Sequence, residues 1–378
     1  MRKVLILGAG KIGRMIASYL GATSDYAVTV ADVDESRLAR IRDLVPRAMR
    51  CHVDATNSHA LQAALSDQDV AVSALSFYLN PQVAQAAQLS NASYFDLTED
   101  VETTRAVRKI AESAADGQIF MPQCGLAPGF ISIIANHLAK QFDELDSVRM
   151  RVGALPQFPT DALKYNLTWS TDGLINEYLN ACDAIHLGKR IDALPLEGLE
   201  HFSLDGARYE AFNTSGGLGT LCETLQGNVR ELNYKTIRYL GHCDLIRFLV
   251  EDLRLGDRRE LLKDIFEHAI PVTFQDVVVT FCTVKGRRKG QFVQLSDARK
   301  IYSQPIAGEN WSAIQVTTAA GICAAIDLHL QGKLPRRGFV KQEDVNLDDF
   351  LANRFGRHYQ CPIHPQLEHE FVGVNDDV

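Results

Sequence analysis

The chain has 378 residues, 46% hydrophobic and 23% charged, with a formal net charge of −8, which is typical of an enzyme-sized protein with two domains. Its basic residues are dispersed, and the one basic run, Lys285 to Lys289, is predicted to be a solvated hairpin tip, so nucleic acid is not an expected partner. No apolar run approaches about 20 residues, no signal-peptide pattern is present, and the eight cysteines are scattered; these features predict a cytoplasmic protein without a membrane partner.

The N-terminus combines a buried-strand pattern, Val4 to Leu7, with a Gly-x-Gly-x-x-Gly motif. Gly8 permits a tight turn, Gly10 lets the backbone approach a pyrophosphate, and Gly13 lets the next helix pack on the strand. A helix is predicted over 14–20 and a second strand over 27–31. The helix N-terminus, with Lys11 and Ile12, is therefore expected to face the phosphates of a dinucleotide.

Asp32, at the end of the second strand, predicts NAD as the cofactor. A carboxylate there accepts hydrogen bonds from the ribose hydroxyls, whereas it repels the 2′-phosphate of NADP. Arg37 and Arg40 on the next helix keep NADP as the less favoured alternative. The ends of the third and fourth strands complete the predicted cofactor-binding set with Asp54, Ala74 and Leu75.

Strand and helix patterns alternate through residues 1–125, which predicts a Rossmann-type, doubly wound parallel sheet. Gly125 to Gly129 breaks this pattern and is predicted to be the exit from the first domain. Residues 126–315 show alternating apolar and polar positions, which indicate an α+β substrate domain. The helical pattern over 317–330 predicts that a segment of about 316–345 returns to the first domain, leaving 346–378 as a C-terminal tail.

The tail carries four possible metal ligands: His358, Cys361, His364 and His369. Two prolines interrupt this segment, and it lies far in sequence from the cofactor motif. We therefore expect a solvated or packed tail and no metal.

The chemistry needs a group that accepts a proton and a group that holds the substrate. Asp96 is the favoured proton acceptor because it ends a strand, the alternative being that it only holds the ammonium as a counter-ion. Tyr165 and His242 are the next candidates. Arg238 is the expected clamp for an α-carboxylate, since its guanidinium can bond bidentately, and on a strand it lies on the face opposite Lys235. The remaining predicted substrate-binding residues are Thr98, Gly125, Thr214 and Ser215.

Several of these segments together resemble the saccharopine dehydrogenase superfamily, in particular its lysine 6-dehydrogenase branch. The segments are Gly8–Gly13, the Val-Ala-Asp ending at Asp32, Asp96, Gly125–Gly129, Glu210–Gly217 and Tyr234–His242. The resemblance spans about residues 1–345. It implies a Rossmann domain, an α+β domain that forms a homodimer, and pyridine-nucleotide-dependent oxidation at the ε-nitrogen side of lysine or of saccharopine.

Two departures from the family pattern bear on the substrate. Glutamate-forming saccharopine dehydrogenases carry an arginine in the segment corresponding to Asn213–Ser215, where this chain has small neutral residues, which favours lysine with its single carboxylate. The lysine branch shows Gly-Gly-His where this chain has Thr98-Glu99-Asp100, whose acids either hold an ammonium or cap the next helix.

The leading hypothesis is an NAD-dependent oxidoreductase acting on the C–N bond of an amino acid, L-lysine first. Saccharopine oxidation is the alternative. A nucleotide-sensing binding protein without turnover is the second alternative.

Overall fold

The computed structural model describes residues 1–167 and 169–360. The first domain alternates six strands with five helices, as predicted. Its strands are β1 (Arg2–Leu7), β2 (Tyr26–Asp32), β3 (Met49–His52), β4 (Val70–Ser73), β5 (Ser93–Asp96) and β6 (Ile119–Met121). Its helices are α1 (Lys11–Gly21), α2 (Glu35–Leu44), α3 (Ser58–Leu65), α4 (Asn80–Leu89) and α5 (Val101–Ala111).

These strands form a parallel sheet in the order β3, β2, β1, β4, β5, β6, which is the Rossmann order. Side chains alternate across each strand, so β1 serves two cores. Val4 and Ile6 pack toward α1, whereas Leu5 and Leu7 pack toward α3 to α5. Both faces are thus buried, and ligand access is left to the carboxyl edge of the sheet.

The second domain is built on a mixed sheet. Its elements are α6 (Phe130–Ala139), β7 (Glu144–Pro156), α7 (Thr171–Leu179), β8 (Cys182–His186), β9 (Lys189–Ala193), β10 (Glu200–Leu204), β11 (Ala207–Asn213), α8 (Leu221–Leu225), β12 (Val229–Tyr239), α9 (His242–Arg247), α10 (Arg259–Ala269), β13 (Asp276–Arg288), β14 (Gln291–Tyr302), β15 (Gln304–Ile306) and β16 (Glu309–Trp311). The sheet order is β10, β11, β12, β7, β13, β14, with β8 and β9 branching from β12. Only β7 and β12 run parallel, which confirms the predicted α+β character.

The chain returns to the first domain through α11 (Ala313–Leu330) and β17 (Gly338–Phe339). Helix α11 packs on α1, and β17 adds a seventh parallel strand beside β6. The chain crosses out of the first domain near Gly125 and crosses back through α11, and these two crossings are in contact. A Cβ on Gly321 would lie 2.6 Å from the carbonyl oxygen of Cys124 and 2.9 Å from that of Gly125.

Helix α11 is long and apolar enough to cross a membrane, judged by length and composition alone. The sequence-based expectation that no apolar run approaches this length is therefore wrong for α11. However, 78% of it is buried between the two sheets. It is the central core helix, where small side chains such as Ala319 and Ala320 allow close packing.

The segment after β17 is part of the fold rather than a tail, as far as residue 360. Helix α12 (Leu347–Ala352) packs against α6 and α11, and the Tyr359 ring stacks on Phe130 with 3.8 Å between centroids. The His358 ring packs at a tilt against the Tyr19 ring, with 5.1 Å between centroids. The other three possible ligands, at 361, 364 and 369, lie outside the described residues, and within 1–167 and 169–360 no group of three or more His, Cys, Asp or Glu has metal-site geometry.

Candidate active site

A cleft of about 1000 Å³ opens between the two domains at the carboxyl edge of the parallel sheet. About half of the predicted site residues line it: Gly10, Lys11, Ile12, Ala74, Leu75, Thr98, Gly125, Tyr165 and Arg238. The others do not: Gly8, Gly13, Asp32, Asp54, Asp96, Thr214, Ser215 and His242. Each of these has an identifiable reason for its position.

Two of the three motif glycines are required by close backbone packing. Gly8 has φ +103°, and a Cβ there would lie 2.7 Å from the Ala74 carbonyl oxygen. A Cβ on Gly13 would lie 1.8 Å from the Gly8 carbonyl oxygen. Gly10 differs, because its Cβ would meet nothing within 4 Å and would project into open space at the start of α1. No side chain caps that helix start, so its first N–H groups remain available to an anion.

Asp32 lies just behind the cleft wall, buried at the end of β2. Its two carboxylate oxygens accept hydrogen bonds from the backbone N–H groups of Ala9 (2.6 Å) and Asp34 (2.9 Å). Arg37 does line the cleft, and its guanidinium is 4.0 Å from Asp32 and 3.3 Å from Asp34. The ribose end of the site therefore presents both carboxylates and a guanidinium.

Asp96 is placed differently from the sequence-based expectation. It is fully buried and accepts hydrogen bonds from the Tyr94 hydroxyl (2.8 Å) and from the backbone N–H groups of Thr98 (2.9 Å) and Gln123 (3.0 Å). Burial raises its pKa to about 6, but the carboxylate does not reach the cleft. It fastens the loop after β5 to the segment after β6, so the structure places it behind the cleft lining and not at the predicted crevice position.

The prediction that Arg238 faces the cleft and Lys235 lies on the other face of β12 is confirmed. Arg238 is 2% exposed. Its Nε donates to the Tyr178 hydroxyl (3.3 Å), and its Nη1 donates to the Thr236 hydroxyl (2.6 Å) and the Ile237 carbonyl (2.9 Å). Nη2 lies 3.5 Å from a Glu177 oxygen. Nε and Nη1 of the guanidinium thus already have hydrogen-bond partners. This leaves Nη2 for a ligand, and not the pair of nitrogens that a bidentate bond needs.

His242 is behind Arg238, not in the cleft. Its Nδ1 lies 2.8 Å from the Leu163 carbonyl oxygen and its Nε2 lies 2.9 Å from the Tyr178 hydroxyl. A carbonyl only accepts and a guanidinium only donates, so Nδ1 carries the proton, Nε2 accepts from Tyr178, and Tyr178 accepts from Arg238. Burial lowers the pKa of His242 to about 3, so the ring is neutral. It orients Tyr178 and has no lone pair left for substrate.

Two glutamates in the cleft were not among the predicted site residues. Glu177 lies on α7, and burial raises its pKa to about 7, opposed by the Arg238 charge. Glu99 follows β5 and also lines the cleft, and burial likewise raises its pKa to about 7. Of the neighbouring acids, Asp100 is the residue that caps a helix: it accepts from the Thr103 N–H at 2.7 Å. Helix capping therefore belongs to Asp100, whereas Glu99 is the acid of this segment that lines the cleft.

The polar loop after β11 and the turn after β3 also lie outside the cleft. The Ser215 hydroxyl donates to the Asn176 carbonyl (2.9 Å), which holds the loop against α7, and Thr214 is buried beside it. Asp54 is on the surface, where it accepts from the N–H and hydroxyl of Thr56. The structure places neither segment in the cleft lining, where the prediction expected both.

Comparison with known proteins decides the family. A model described as the saccharopine dehydrogenase NADP binding domain matches residues 4–121, and one described as the saccharopine dehydrogenase C-terminal domain matches residues 125–355. Together they cover most of the chain. The chain belongs to the saccharopine dehydrogenase family.

Two curated relatives illustrate the similarity. This chain is 24% identical over 318 residues to saccharopine dehydrogenase [NADP(+), L-glutamate-forming] of Saccharomyces cerevisiae, covering 79% of the chain and 67% of the relative. It is 21% identical over 379 residues to the mitochondrial alpha-aminoadipic semialdehyde synthase of Bos taurus, covering 92% of the chain but only 39% of that protein. The solved apo structure of the yeast L-Glu-forming enzyme shares the fold, with a TM-score of 0.77, 18% identity, and coverage of 94% of this chain and 98% of that one.

The residues present fit the nicotinamide dinucleotide that the saccharopine dehydrogenase family implies. The close Gly8–Gly13 turn, the uncapped start of α1 and the open position at Gly10 form a phosphate cradle. Asp32 and Arg37 stand at the ribose end, and Ala74 and Leu75 line the wall beyond it. The names of the family model and of the yeast relative refer to NADP, whereas the sequence-based expectation from Asp32 is NAD.

Proposed function

We propose that the protein oxidises the C–N bond of an amino acid with NAD, L-lysine at its ε-carbon being the first candidate. When bound, the nicotinamide would take up the hydride. The observation that carries the proposal is the charge pattern of the deep cleft, where one buried arginine, Arg238, stands beside two carboxylates, Glu99 and Glu177. Such a site suits a ligand with one carboxylate and an amino group.

In this proposal Arg238 holds the substrate α-carboxylate through Nη2. The Tyr178 hydroxyl, the Thr236 hydroxyl and the Ile237 carbonyl fix the other two nitrogens, so the guanidinium is preorganised. The Tyr165 ring, with its centroid 4.7 Å from the guanidinium carbon, supports the same orientation. A fixed cation of this kind determines which end of the amino acid faces the sheet edge.

Saccharopine is the second candidate, because two further cations line the outer part of the cleft beside the acids Glu260 and Glu267. Arg259 and Lys263 on α10 line the outer part of the cleft. Arg259 donates to the side-chain amides of Asn176 and Asn180, and Lys263 pairs with Asp172. These side chains could hold the additional carboxylates of a larger substrate.

The test is an assay of the intact protein with each amino acid in turn, following the absorbance of the reduced nicotinamide. Reduction of NAD with L-lysine and not with saccharopine supports the first candidate. The reverse result supports the second. Cofactor binding without turnover of either amino acid would contradict both and would indicate a nucleotide-sensing protein.

We predict that Asp32→Ala weakens NAD far more than NADP, because the change removes ribose hydrogen bonds for one cofactor and like-charge repulsion for the other. Arg37→Ala is the matched variant on the same wall, and it should weaken NADP only. Kd values for both cofactors, measured by nicotinamide fluorescence, give the result. A wild-type preference for NADP that Arg37→Ala removes would overturn the assignment to NAD.

A further inference from the structure

Oxidation of an amine requires the neutral amine, yet a lysine ε-ammonium has a pKa of about 10.4 in water, so the cleft must accept a proton. Neither Asp96 nor His242 can do this, because neither lines the cleft and their acceptor atoms are already hydrogen-bonded. Among the described residues that line the deep part of the cleft, Glu99 and Glu177 are the carboxylates. They are therefore the candidate proton acceptors.

Helix α7 carries Glu177 and also lies against the side chain of Glu99. A Cβ added to Gly173 would lie 3.1 Å from Glu99 Oε1, so Glu99 touches α7 at that residue. Glu177 is four residues further along the same helix, which places it one turn away on the same face. The opposite side of Glu99 is closed by Gly216, whose Cβ would lie 2.9 Å from Glu99 Cβ. Two walls therefore hold the Glu99 side chain against α7.

Glu177 is incompletely satisfied. Its Oε2 is buried and makes no hydrogen bond within the described part of the chain, although Arg238 Nη2 is 3.5 Å away. A buried acceptor without a donor is costly unless a ligand supplies one. A substrate ammonium held between α7 and the loop after β5 would supply that donor.

We propose that Glu99 and Glu177 form a pair that shares one proton in the free enzyme and accepts the proton of the substrate ammonium. This proposal rests on the proposed function. In the step, one N–H bond of the ammonium breaks and one O–H bond forms on the ionised carboxylate, so the pair goes from one negative charge to none and the amine becomes neutral. The proton later leaves to solvent through the open cleft.

The surroundings of the pair agree with a shared proton. The titratable or charged neighbours that interact with it are Asp96, Asp100, Tyr178, Cys182, Tyr234 and Arg238. Of these Arg238 is the cation, whereas Asp96 and Asp100 are acids that disfavour a second negative charge on the pair. Burial raises the pKa of each carboxyl to about 7, and the Glu99 charge further raises that of Glu177. Two such acids close together titrate as a coupled pair.

The first measurement is carboxyl ¹³C NMR of the cofactor-free protein labelled at glutamate, which needs no turnover. We expect two coupled titrations near neutral pH in the wild type. In Glu177→Gln the remaining Glu99 should titrate at lower pH, because the like charge is gone. Glu102→Gln, an exposed glutamate on α5, is the control and should leave both titrations unchanged. Independent titrations, or both near the ordinary glutamate pKa, would overturn the pair.

The second measurement is the pH dependence of kcat/KM with the amino acid that the protein oxidises. A protonated pair cannot accept the substrate proton, so the rate should fall as pH drops below about 7. Glu99→Gln and Glu177→Gln should each lower kcat about 100-fold and change this acidic limb. An unchanged limb with normal kcat in both variants would overturn the proton transfer. If the wild type oxidises neither amino acid, the proposed function fails, while the NMR titration still decides whether the proton is shared.

Discussion

Gly13→Ala is expected to abolish dinucleotide binding and to destabilise the first domain. The new Cβ would lie 1.8 Å from the Gly8 carbonyl oxygen, which is backbone and cannot move aside as a flexible side chain can. Overpacking of this kind costs about 1 to 3 kcal/mol or more. The resulting shift of α1 away from β1 would also misplace the N–H groups that form the phosphate cradle. Thermal unfolding and fluorescence titration with the reduced cofactor measure the two effects.

Gly10→Ala is the matched control in the same motif. Its Cβ would meet nothing within 4 Å, and its φ of −72° is open to any residue, so the fold should keep its stability. The methyl group would project into the phosphate cradle, so affinity for the cofactor should still fall. Equal destabilisation by the two substitutions, or normal cofactor binding by Gly10→Ala, would contradict this description of the cradle.

Replacement of Arg238 should have the largest effect on the kinetic constants for the amino acid. Arg238→Gln removes the buried cation and should lower kcat/KM about 100-fold, which corresponds to about 2.7 kcal/mol. Arg238→Lys retains the charge but loses the planar fork that Tyr178 and Thr236 orient, so we expect a raised KM with a smaller loss in kcat. Steady-state kinetics at saturating cofactor separate the two constants.

Lys235→Met provides the control for Arg238 on the same strand. Lys235 points to the other face of the sheet, where it bonds the carboxylate of Glu200, away from the cleft. Its replacement should lower stability but leave the KM for the amino acid unchanged. An unchanged KM in both Arg238 variants would show that Arg238 is structural.

The first domain was predictable because its rules are local. Alternation of apolar residues in β1, the glycine spacing and the acid at the end of β2 each follow from the geometry of one strand–turn–helix unit. Strand periodicity also assigned Arg238 and Lys235 to opposite faces correctly. The return of α11 could be predicted from its alanine-rich pattern, although the helix begins at Ala313 rather than at 317.

The residues that we propose as proton acceptors could not be predicted in the same way. A strand end gives the edge of the sheet at which Asp96 lies, but not the direction of its side chain, which turns inward to three donors. Glu177 lies on α7, whose approach to Glu99 is a tertiary contact without a sequence pattern. His242 was a reasonable choice by type, yet both ring nitrogens are taken up by groups distant in sequence. Site geometry of this kind depends on packing between domains.

The two contacting crossings have a mechanical consequence. The chain leaves the first domain near Gly125 and returns through α11, where Gly321 rests on the carbonyl oxygens of Cys124 and Gly125. Two adjacent covalent connections oppose twisting or sliding of one domain over the other. The buried core that β1 of the first domain shares with β7 and β13 of the second opposes their separation. Gly125 and Thr318, at this contact, also line the cleft. The spacing between Arg238 and the phosphate cradle therefore depends on the packing of α11 at Gly321.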